Sequence, residues 1–219
     1  MTGFIEDLGA AGIEDESVDV VTSNCVLNLS NDKARVFTEI FRVLKPGGEL
    51  YFSDIFSSRR IPRKLTQHPV LRGECLGGAL YIEDFRRLLA SIGINDYRCL
   101  RSSTVTVDDP ELARLVGGID FTSMTVRTFK LALEDRCEDY GQVAWYLGGL
   151  AGSPHEFILD DHHVFALNKP MLVCSNTARM LGLSRFAPYF RIQGDETNHF
   201  GVFDCASPPS RKEGALSCC

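Results

Sequence analysis

VDVVTSN, residues 18–24, and KPGGELYFSDIF, residues 45–56, are the two stretches that decide the fold. The first is apolar at 18–21 and then turns polar, which is typical of a buried strand at its carboxyl end. Residues 30–32 offer capping side chains to a helix whose apolar positions recur on one face. The helix ends at the Pro-Gly-Gly turn, and a second apolar strand follows. This order predicts a βαβ crossover with parallel strands.

The alternation of strands and helices continues with a predicted helix at 81–91, which ends at Gly93, and a predicted strand at 97–107. Past residue 125 the pattern changes to short strand-like pieces and one short helix: 125–133, 141–147, 157–159, 163–166 and the helix at 177–183. We therefore expect an α/β chain with a partial domain over 1–124 and a small α+β module over 125–206. Residues 207–219 read as a flexible tail that carries Cys218 and Cys219.

Composition and charge narrow the class of protein. The 219 residues are 44% hydrophobic and 24% charged, which is ordinary for a soluble globular chain. A net charge of -6 argues against a nucleic-acid-binding surface. The sequence contains neither an apolar segment long enough to span a bilayer nor the pattern of a signal peptide. We expect a cytoplasmic protein that binds neither nucleic acid nor membrane.

Two of the eight cysteines stand in unusual contexts, SNCVLNL at 23–29 and GECLGGAL at 73–80. Cys25 follows the first strand, at the sheet edge where ligands of open α/β folds collect. Cys75 lies among glycines that permit a close backbone approach. Two thiols at one cleft would suit binding of a soft ion. The alternative is that both residues are structural, with Cys25 a buried thiol at the end of a strand and Cys75 a residue that packs a helix beside the glycines. Cys99 and Cys174, in strand-like runs, are expected to be small core residues.

Two further sequence patterns resemble binding sites, one for a metal ion and one for a nucleotide. DDHH at 160–163 offers metal-ligand side chains, but neighbouring residues of an extended segment point to opposite faces, so a solvated turn is expected. DLGAAG at 7–12 resembles a nucleotide-binding turn, yet no apolar strand precedes it and a strand rather than a helix follows. We interpret it as a loop.

Several stretches together resemble the S-adenosylmethionine-dependent arsenite methyltransferases. They are GFIEDL at 3–8, SNCVLNL at 23–29, RVLKPGGEL at 42–50, GECLGGAL at 73–80, DYGQVA at 139–144 and LDDHH at 159–163. The resemblance covers nearly all of residues 3–205, and its two cysteine contexts are the specific part. It implies the second half of a Rossmann-like class I methyltransferase sheet, followed by the α+β module. In the family's sequence pattern, a glycine-rich cofactor loop and two further functional cysteines come before the part that this chain matches, so they are expected upstream of Met1.

The resemblance also implies a function and a site. Cys25 and Cys75 correspond to the cysteines that hold trivalent arsenic, supplied as arsenite or its thiol conjugates. The arsenic lone pair would attack the sulfonium methyl of S-adenosylmethionine, so the cysteines orient the nucleophile and no general base is needed. Ile5 and Glu6 match the loop near adenine, and Asn24 lies close to the methyl donor. Thiol reductants such as glutathione or thioredoxin are the expected partners, and no metal cofactor is expected.

Two other functions remain open at this point. The chain fits a non-catalytic thiol module that binds or sequesters arsenite, because the cofactor loop is missing from it. A methyltransferase for an organic substrate would explain the turn at 45–48 but neither cysteine context. The first interpretation, arsenic methylation in detoxification, accounts for the most residues.

Overall fold

The computed structural model describes residues 3–205. Its strands are β1 Val18–Asn24, β2 Leu44–Ser57, β3 Leu80–Tyr81, β4 Arg98–Val105, β5 Phe121–Phe129, β6 Glu138–Asp139, β7 Gln142–Tyr146, β8 Glu156–Ile158, β9 Val164–Ala166, β10 Pro170–Val173, β11 Phe190–Gln193 and β12 Gly201–Val202. Its α-helices are α1 Lys33–Val43, α2 Arg63–Thr66, α3 Pro69–Gly73, α4 Ile82–Ser91, α5 Pro110–Val116 and α6 Ser175–Gly182, with 3₁₀ turns at Leu27–Leu29 and Ala187–Tyr189.

The first sheet has the order β1-β2-β5-β4, with β3 beside the end of β2. β1 and β2 pair in parallel, with Val21 opposite Leu50, which confirms the predicted crossover. β5 runs antiparallel to both β2 and β4, so the sheet is mixed. The α/β class predicted from the sequence is therefore confirmed, with one antiparallel strand in the middle of the sheet.

Helix α1 forms where its cap and its apolar stripe predict. The carboxylate of Asp32 accepts the backbone N–H of Arg35, which satisfies one free donor of the first turn. Val36 and Ile40 are fully buried on the face that packs against the sheet. α4 buries Phe85 in the same core, and Gly93 ends that segment with a left-handed φ of 83°. Both helices thus pack against the first core.

The predicted domain boundary after residue 124 falls inside strand β5, Phe121–Phe129. All of β5 pairs with β2, from Phe121 opposite Ser57 to Phe129 opposite Glu49. The change of sequence texture at residue 125 marks the middle of a strand whose second half is buried. We propose that the change of unit lies after Phe129.

The second unit contains the predicted α+β elements. β10, β7 and β11 form an antiparallel sheet, and α6 packs beside it over a core rich in aromatic side chains: Tyr146, Phe157, Phe165, Phe186 and Phe190. A buried carboxylate, Glu49 of β2, joins the two units. Its oxygens lie 2.8 Å from Nε of Arg127 and 2.6 Å from Nε of Arg185. The predicted tail at 207–219, with Cys218 and Cys219, lies outside the described residues. None of the described helices is long and apolar enough to cross a membrane.

Candidate functional site

Cys25 follows the carboxyl end of β1 directly. Its backbone N–H donates to the carbonyl oxygen of Ser53 in β2 at 2.9 Å, so the chain leaves the sheet from a fixed point. Cys25 then adopts a φ of 54°, a left-handed conformation that is uncommon for a residue with a side chain. The turn exposes this cysteine at the sheet edge. Ligands of open α/β sheets bind at this edge.

Cys75 reaches the same place from the segment after α3. It is buried, it also has a left-handed φ of 61°, and its thiol donates to the carbonyl oxygen of Cys25 at 3.5 Å. The structure thus brings the two predicted cysteines together, although they are fifty positions apart. Both cysteines of this spatial pair adopt a backbone conformation that is costly for residues with a side chain. Such conformations cluster at functional sites.

Gly78 provides the close backbone approach that the sequence predicted for this stretch. A Cβ atom added to Gly78 would lie 1.9 Å from the carbonyl oxygen of Asn28, a distance that no side chain tolerates. The glycine turn therefore packs against the loop that carries Cys25. This contact holds the two cysteine segments against each other.

Two polar residues that the sequence analysis did not single out support the pair. The amide of Asn28 donates to the carbonyl oxygens of Ile55 at 2.6 Å and Cys75 at 3.5 Å, while its backbone N–H donates to Asp54 at 3.1 Å. Both Asn28 and Asp54 are buried. A carboxylate inside the apolar run of β2 was the signal that could have identified Asp54.

The electrostatics of the pair keep both thiols protonated. Although Cys25 is exposed, partial desolvation of its sulfur raises its pKa, and the charge of Asp54 adds to the effect. Burial likewise raises the pKa of Cys75, with further contributions from Asp54 and Cys25. Burial also raises the pKa of Asp54. At neutral pH the site therefore presents two thiols beside a buried acidic group.

The three residues predicted to contact the cofactor have different surroundings in the structure. Asn24 is exposed at the end of β1, next to Cys25. Ile5 packs against the first core, and the carboxylate of Glu6 accepts the hydroxyl of Ser30 at 2.5 Å. Ile5 and Glu6 thus lie on the loop beside the segment after β1.

Glu39 of α1 anchors this N-terminal loop. Its carboxylate accepts the backbone N–H of Leu8 at 2.9 Å and of Gly9 at 3.3 Å. A hydrogen bond from Arg42 lowers the pKa of Glu39 to about 2, so the anchor stays charged. The loop interpretation of residues 7–12 agrees with these contacts and with the turns that the structure shows there.

A cavity of about 450 Å³ opens beside the glycine turn. Its wall includes Asn28 and Gly78 together with three cationic side chains, Lys33, Arg60 and Arg72. Neither Cys25 nor Cys75 lines this cavity. Asn28 and Gly78 therefore border the cavity and also contact the cysteine segments, but the two thiols lie outside the cavity.

The DDHH segment is only half a solvated turn, which corrects the prediction. Asp161 and His162 are exposed, but Asp160 and His163 are buried. The Asp160 carboxylate accepts the backbone N–H groups of His162 and His163 and contacts Arg98 at 3.3 Å. Burial opposes ionisation of Asp160, yet the His163 ring and Arg98 hold its pKa below the usual range. Its oxygens are engaged inside the protein, so the segment serves the fold.

The expectation for the two core cysteines is half right. Cys99 is half-buried in β4 and donates to the carbonyl oxygen of Arg101. Cys174 is fully buried, as predicted, but it is no simple packing residue. It caps α6, and its sulfur lies within 4.8 Å of the sulfurs of Cys137 and Cys205.

Comparison with protein families matches both units of the chain. Residues 2–93 match a methyltransferase domain, and residues 139–214 match the arsenite methyltransferase C-terminal domain. These two matches fall on either side of β4 and β5.

Curated relatives carry the same description over nearly the whole chain. The arsenite methyltransferase of Aquipseudomonas alcaligenes is 47% identical over 99% of this chain and 65% of its own length. The arsenite methyltransferases of Mus musculus and Homo sapiens are 44% and 42% identical over 86% and 87% of this chain, in each case 50% of the relative. The chain thus spans between half and about two thirds of the length of these three relatives.

A solved structure agrees in fold as well as in sequence. The crystal structure of CrArsM, an arsenic (III) S-adenosylmethionine methyltransferase from Chlamydomonas reinhardtii, superposes with a TM-score of 0.88 at 53% identity. The match covers 92% of this chain and 68% of that protein. At this similarity the two chains share the α/β unit and the module after it.

Proposed function

Because this chain belongs to the arsenite methyltransferase family, we propose that Cys25 and Cys75 bind trivalent arsenic and present it for methylation with S-adenosylmethionine as donor. The observation that carries this proposal is the 3.5 Å contact between the Cys75 thiol and the carbonyl oxygen of Cys25. Both cysteines also adopt left-handed backbone conformations, which are costly for residues with a side chain. A pair of thiols in one place is a ligand set for a soft, thiophilic centre.

Arsenite binding at this pair needs no external base. Each cysteine replaces one hydroxyl of arsenite: an As–S bond forms, an As–O bond breaks, and the thiol proton leaves with the hydroxyl as water. No oxidation occurs in this exchange. Because the pKa values of Cys25 and Cys75 are raised, each sulfur carries the proton that leaves with the hydroxyl as water.

After binding, the two cysteines act by orientation. Trivalent arsenic retains a lone pair, so the nucleophile is already unprotonated. Holding it at a fixed angle supplies the positional part of catalysis, which contributes up to about 7–11 kcal/mol in well-oriented reactions. The contacts of Asn28 and Gly78 keep the two ligands from separating.

The residues near β1 fit one side of a binding place for the methyl donor. The hydroxyl of Ser23 is buried without a hydrogen-bond partner among the described residues, and the neighbouring Asn24 is exposed. An unpartnered buried hydroxyl at the edge where ligands collect favours a polar ligand there. S-Adenosylmethionine, when bound, supplies an electrophilic methyl group on a sulfonium. Asn24, Ile5 and Glu6 are the residues we assign to its contact.

Further properties belong to the same proposal. We assign the chain a role in arsenic detoxification in the cytoplasm, with glutathione or thioredoxin as reductant and no metal cofactor. Arsenite, or its conjugates with small thiols, is the substrate. The organic-substrate alternative is less suited, because an organic acceptor would not use the paired thiols.

The test is a methylation assay on the full chain with arsenite, S-adenosylmethionine and glutathione. Methylated arsenic is separated by chromatography and quantified by its arsenic content. We expect product from the wild type and from Cys99→Ser, a matched control in β4, and background levels from Cys25→Ser and Cys75→Ser. Product that survives either of the last two substitutions would overturn the assignment. Arsenite binding that needs both cysteines, without any product, would leave the chain a thiol module that sequesters arsenite.

A further inference from the structure

A second group of thiols lies in the C-terminal unit, away from Cys25 and Cys75. Cys137 precedes β6, Cys174 caps α6 at its N-terminus, and Cys205 follows β12. The three sulfur atoms all lie within 4.8 Å of one another. Three separate segments of the chain thus converge on one cluster, although none of these cysteines has a recognisable metal-binding spacing.

The surroundings of Cys174 favour a thiolate within the cluster. Its sulfur caps α6 and accepts the backbone N–H of Thr177 at 3.4 Å. Nη2 of Arg98 lies 3.9 Å from the same sulfur. A hydrogen bond from Cys137 lowers the pKa of Cys174 and correspondingly raises that of Cys137. The cluster is therefore prepared as one thiolate and two thiols that donate toward it.

The cluster lies beside a group of buried charges centred on Arg98. The Arg98 guanidinium lies 2.8 Å from Asp96 and 3.3 Å from Asp160, and all three groups are buried or nearly so. The ring of His163 also contacts Asp160, with Nδ1 at 2.8 Å from Oδ1. The three sulfurs therefore lie next to buried polar and charged groups and not in a purely apolar core.

A small ligand has a way in. A cavity of about 270 Å³ reaches the cluster, and its wall includes Cys137 and Cys205 together with residues 96–99 and 160–162. Cys137 and Cys205 are half-buried and face this opening, whereas Cys174 is fully enclosed behind them. The size suits an oxyanion-sized molecule such as arsenite.

The number of donors identifies the kind of ligand. A structural zinc site uses four protein ligands, and the described residues contribute only three to this cluster. Three sulfurs match the valence of a trivalent soft centre that binds through three bonds and keeps a lone pair. Nothing in the methyl-transfer site requires this cluster, which lies in the other unit.

We propose that Cys137, Cys174 and Cys205 form a second, three-sulfur binding site for trivalent arsenic. Three As–S bonds replace three As–O bonds: two thiols, the Cys174 thiolate and one proton from solvent release the three hydroxyls as water. The oxidation state of arsenic does not change. The choice of arsenic among trivalent thiophilic ions rests on the proposed function, whereas the three-sulfur site itself does not.

Occupation of this site ties together three segments of the C-terminal unit. The ligand binds the folded cluster and not the separated segments of an unfolded chain, so it stabilises the fold by mass action. It also differs from the first site in completing the arsenic valence with protein sulfur. The bound arsenic has no oxygen ligand left to exchange, so it is either stored at this site or acts as a structural cross-link between the three segments.

The experiment uses the full chain in which Cys25, Cys75, Cys218 and Cys219 are replaced by serine. Titration with sodium arsenite is followed by native mass spectrometry and thermal unfolding. We expect one adduct with the mass of arsenic less three hydrogens, together with a raised Tm. Cys137→Ser and Cys205→Ser in this background should each abolish that adduct, whereas Cys99→Ser, from the same cavity wall, should retain it.

A second readout needs no substitution within the cluster. Arsenite should slow the alkylation of Cys137 and Cys205 by iodoacetamide and leave that of Cys99 unchanged. No adduct, an adduct that survives Cys205→Ser, binding of zinc but not arsenite, or a chain isolated two hydrogens lighter as a disulfide would each overturn the proposal. Loss of methylation in Cys25→Ser alongside an intact three-sulfur adduct would leave this site standing independently of the first.

Discussion

The carbonyl oxygen of Asn28 occupies the place where a side chain on Gly78 would begin. A Cβ atom there would lie 1.9 Å from this oxygen, and the contact joins the loop after β1 to the turn after α3. Because Cys25 and Cys75 lie on these two segments, the relative position of the two cysteines depends on the packing of this glycine. The site is therefore set by backbone packing as much as by its ligands.

Gly78→Ala should weaken arsenite binding at this site without removing a thiol. The added methyl group must push the two segments apart, and we expect the affinity to fall about tenfold or more, or at least 1.4 kcal/mol. Gly73→Ala is the matched control, because nothing lies within 4 Å of a Cβ at that position. Arsenite titration of both variants checks the prediction, and equal affinities would contradict it.

Alkylation of Cys25 should be slow at neutral pH and rise only in alkaline solution. The thiolate is the reactive form, and burial followed by the charge of Asp54 raises the pKa of Cys25 above the ordinary value of about 8.5. Asp54→Asn removes the second cause, so the midpoint of the pH–rate profile should move down but stay above that value. Asp19→Asn, an exposed carboxylate of β1, should not move it. Peptide mass spectrometry after timed iodoacetamide treatment gives both profiles, and an unshifted midpoint for Asp54→Asn would refute the electrostatic account.

Removing the carboxylate of Glu49 should destabilise the chain strongly. Glu49 is fully buried and contacts Arg127 and Arg185, so Glu49→Gln leaves guanidinium charge without its partner. Breaking a buried pair from one side costs about 3–5 kcal/mol of unfolding free energy. Lys45→Gln breaks an exposed pair with Asp19 and should cost no more than about 1 kcal/mol. Urea denaturation compares the two, and similar midpoints would show that Glu49 does not link the units.

Local sequence signals were sufficient for much of the first unit. The capping carboxylate of Asp32, the stripe of α1 and the Pro-Gly-Gly turn each act over a few residues, so the crossover they predict is the one observed. The positions of Cys25 and Cys75 followed from a strand end and a glycine turn, which are also local features. The 3.5 Å contact between the Cys75 thiol and the Cys25 carbonyl oxygen accompanies a glycine contact between the two segments, which only the structure displays.

The remaining features depend on partners far away in the sequence. Asp160 is buried because Arg98 approaches it from β4, and no local pattern signals that pairing. β5 belongs to the first sheet because β2 and β4 both pair with it, although its sequence resembles the pieces that follow. Cys137 and Cys205 meet Cys174 through the folding of the whole C-terminal unit. Isolated cysteines without a repeated spacing give no sequence signal for such a cluster.

Arsenite protection of Cys25 from alkylation, compared between the wild type and Cys75→Ser, tests most directly whether the two cysteines form one site. Iodoacetamide labelling of each cysteine is timed by peptide mass spectrometry with and without arsenite, and Cys99 serves as internal reference. We predict that arsenite slows labelling of Cys25 about tenfold or more in the wild type, and that Cys75→Ser removes this protection. Protection of Cys25 that persists unchanged in Cys75→Ser, or its absence in the wild type, would contradict the shared site.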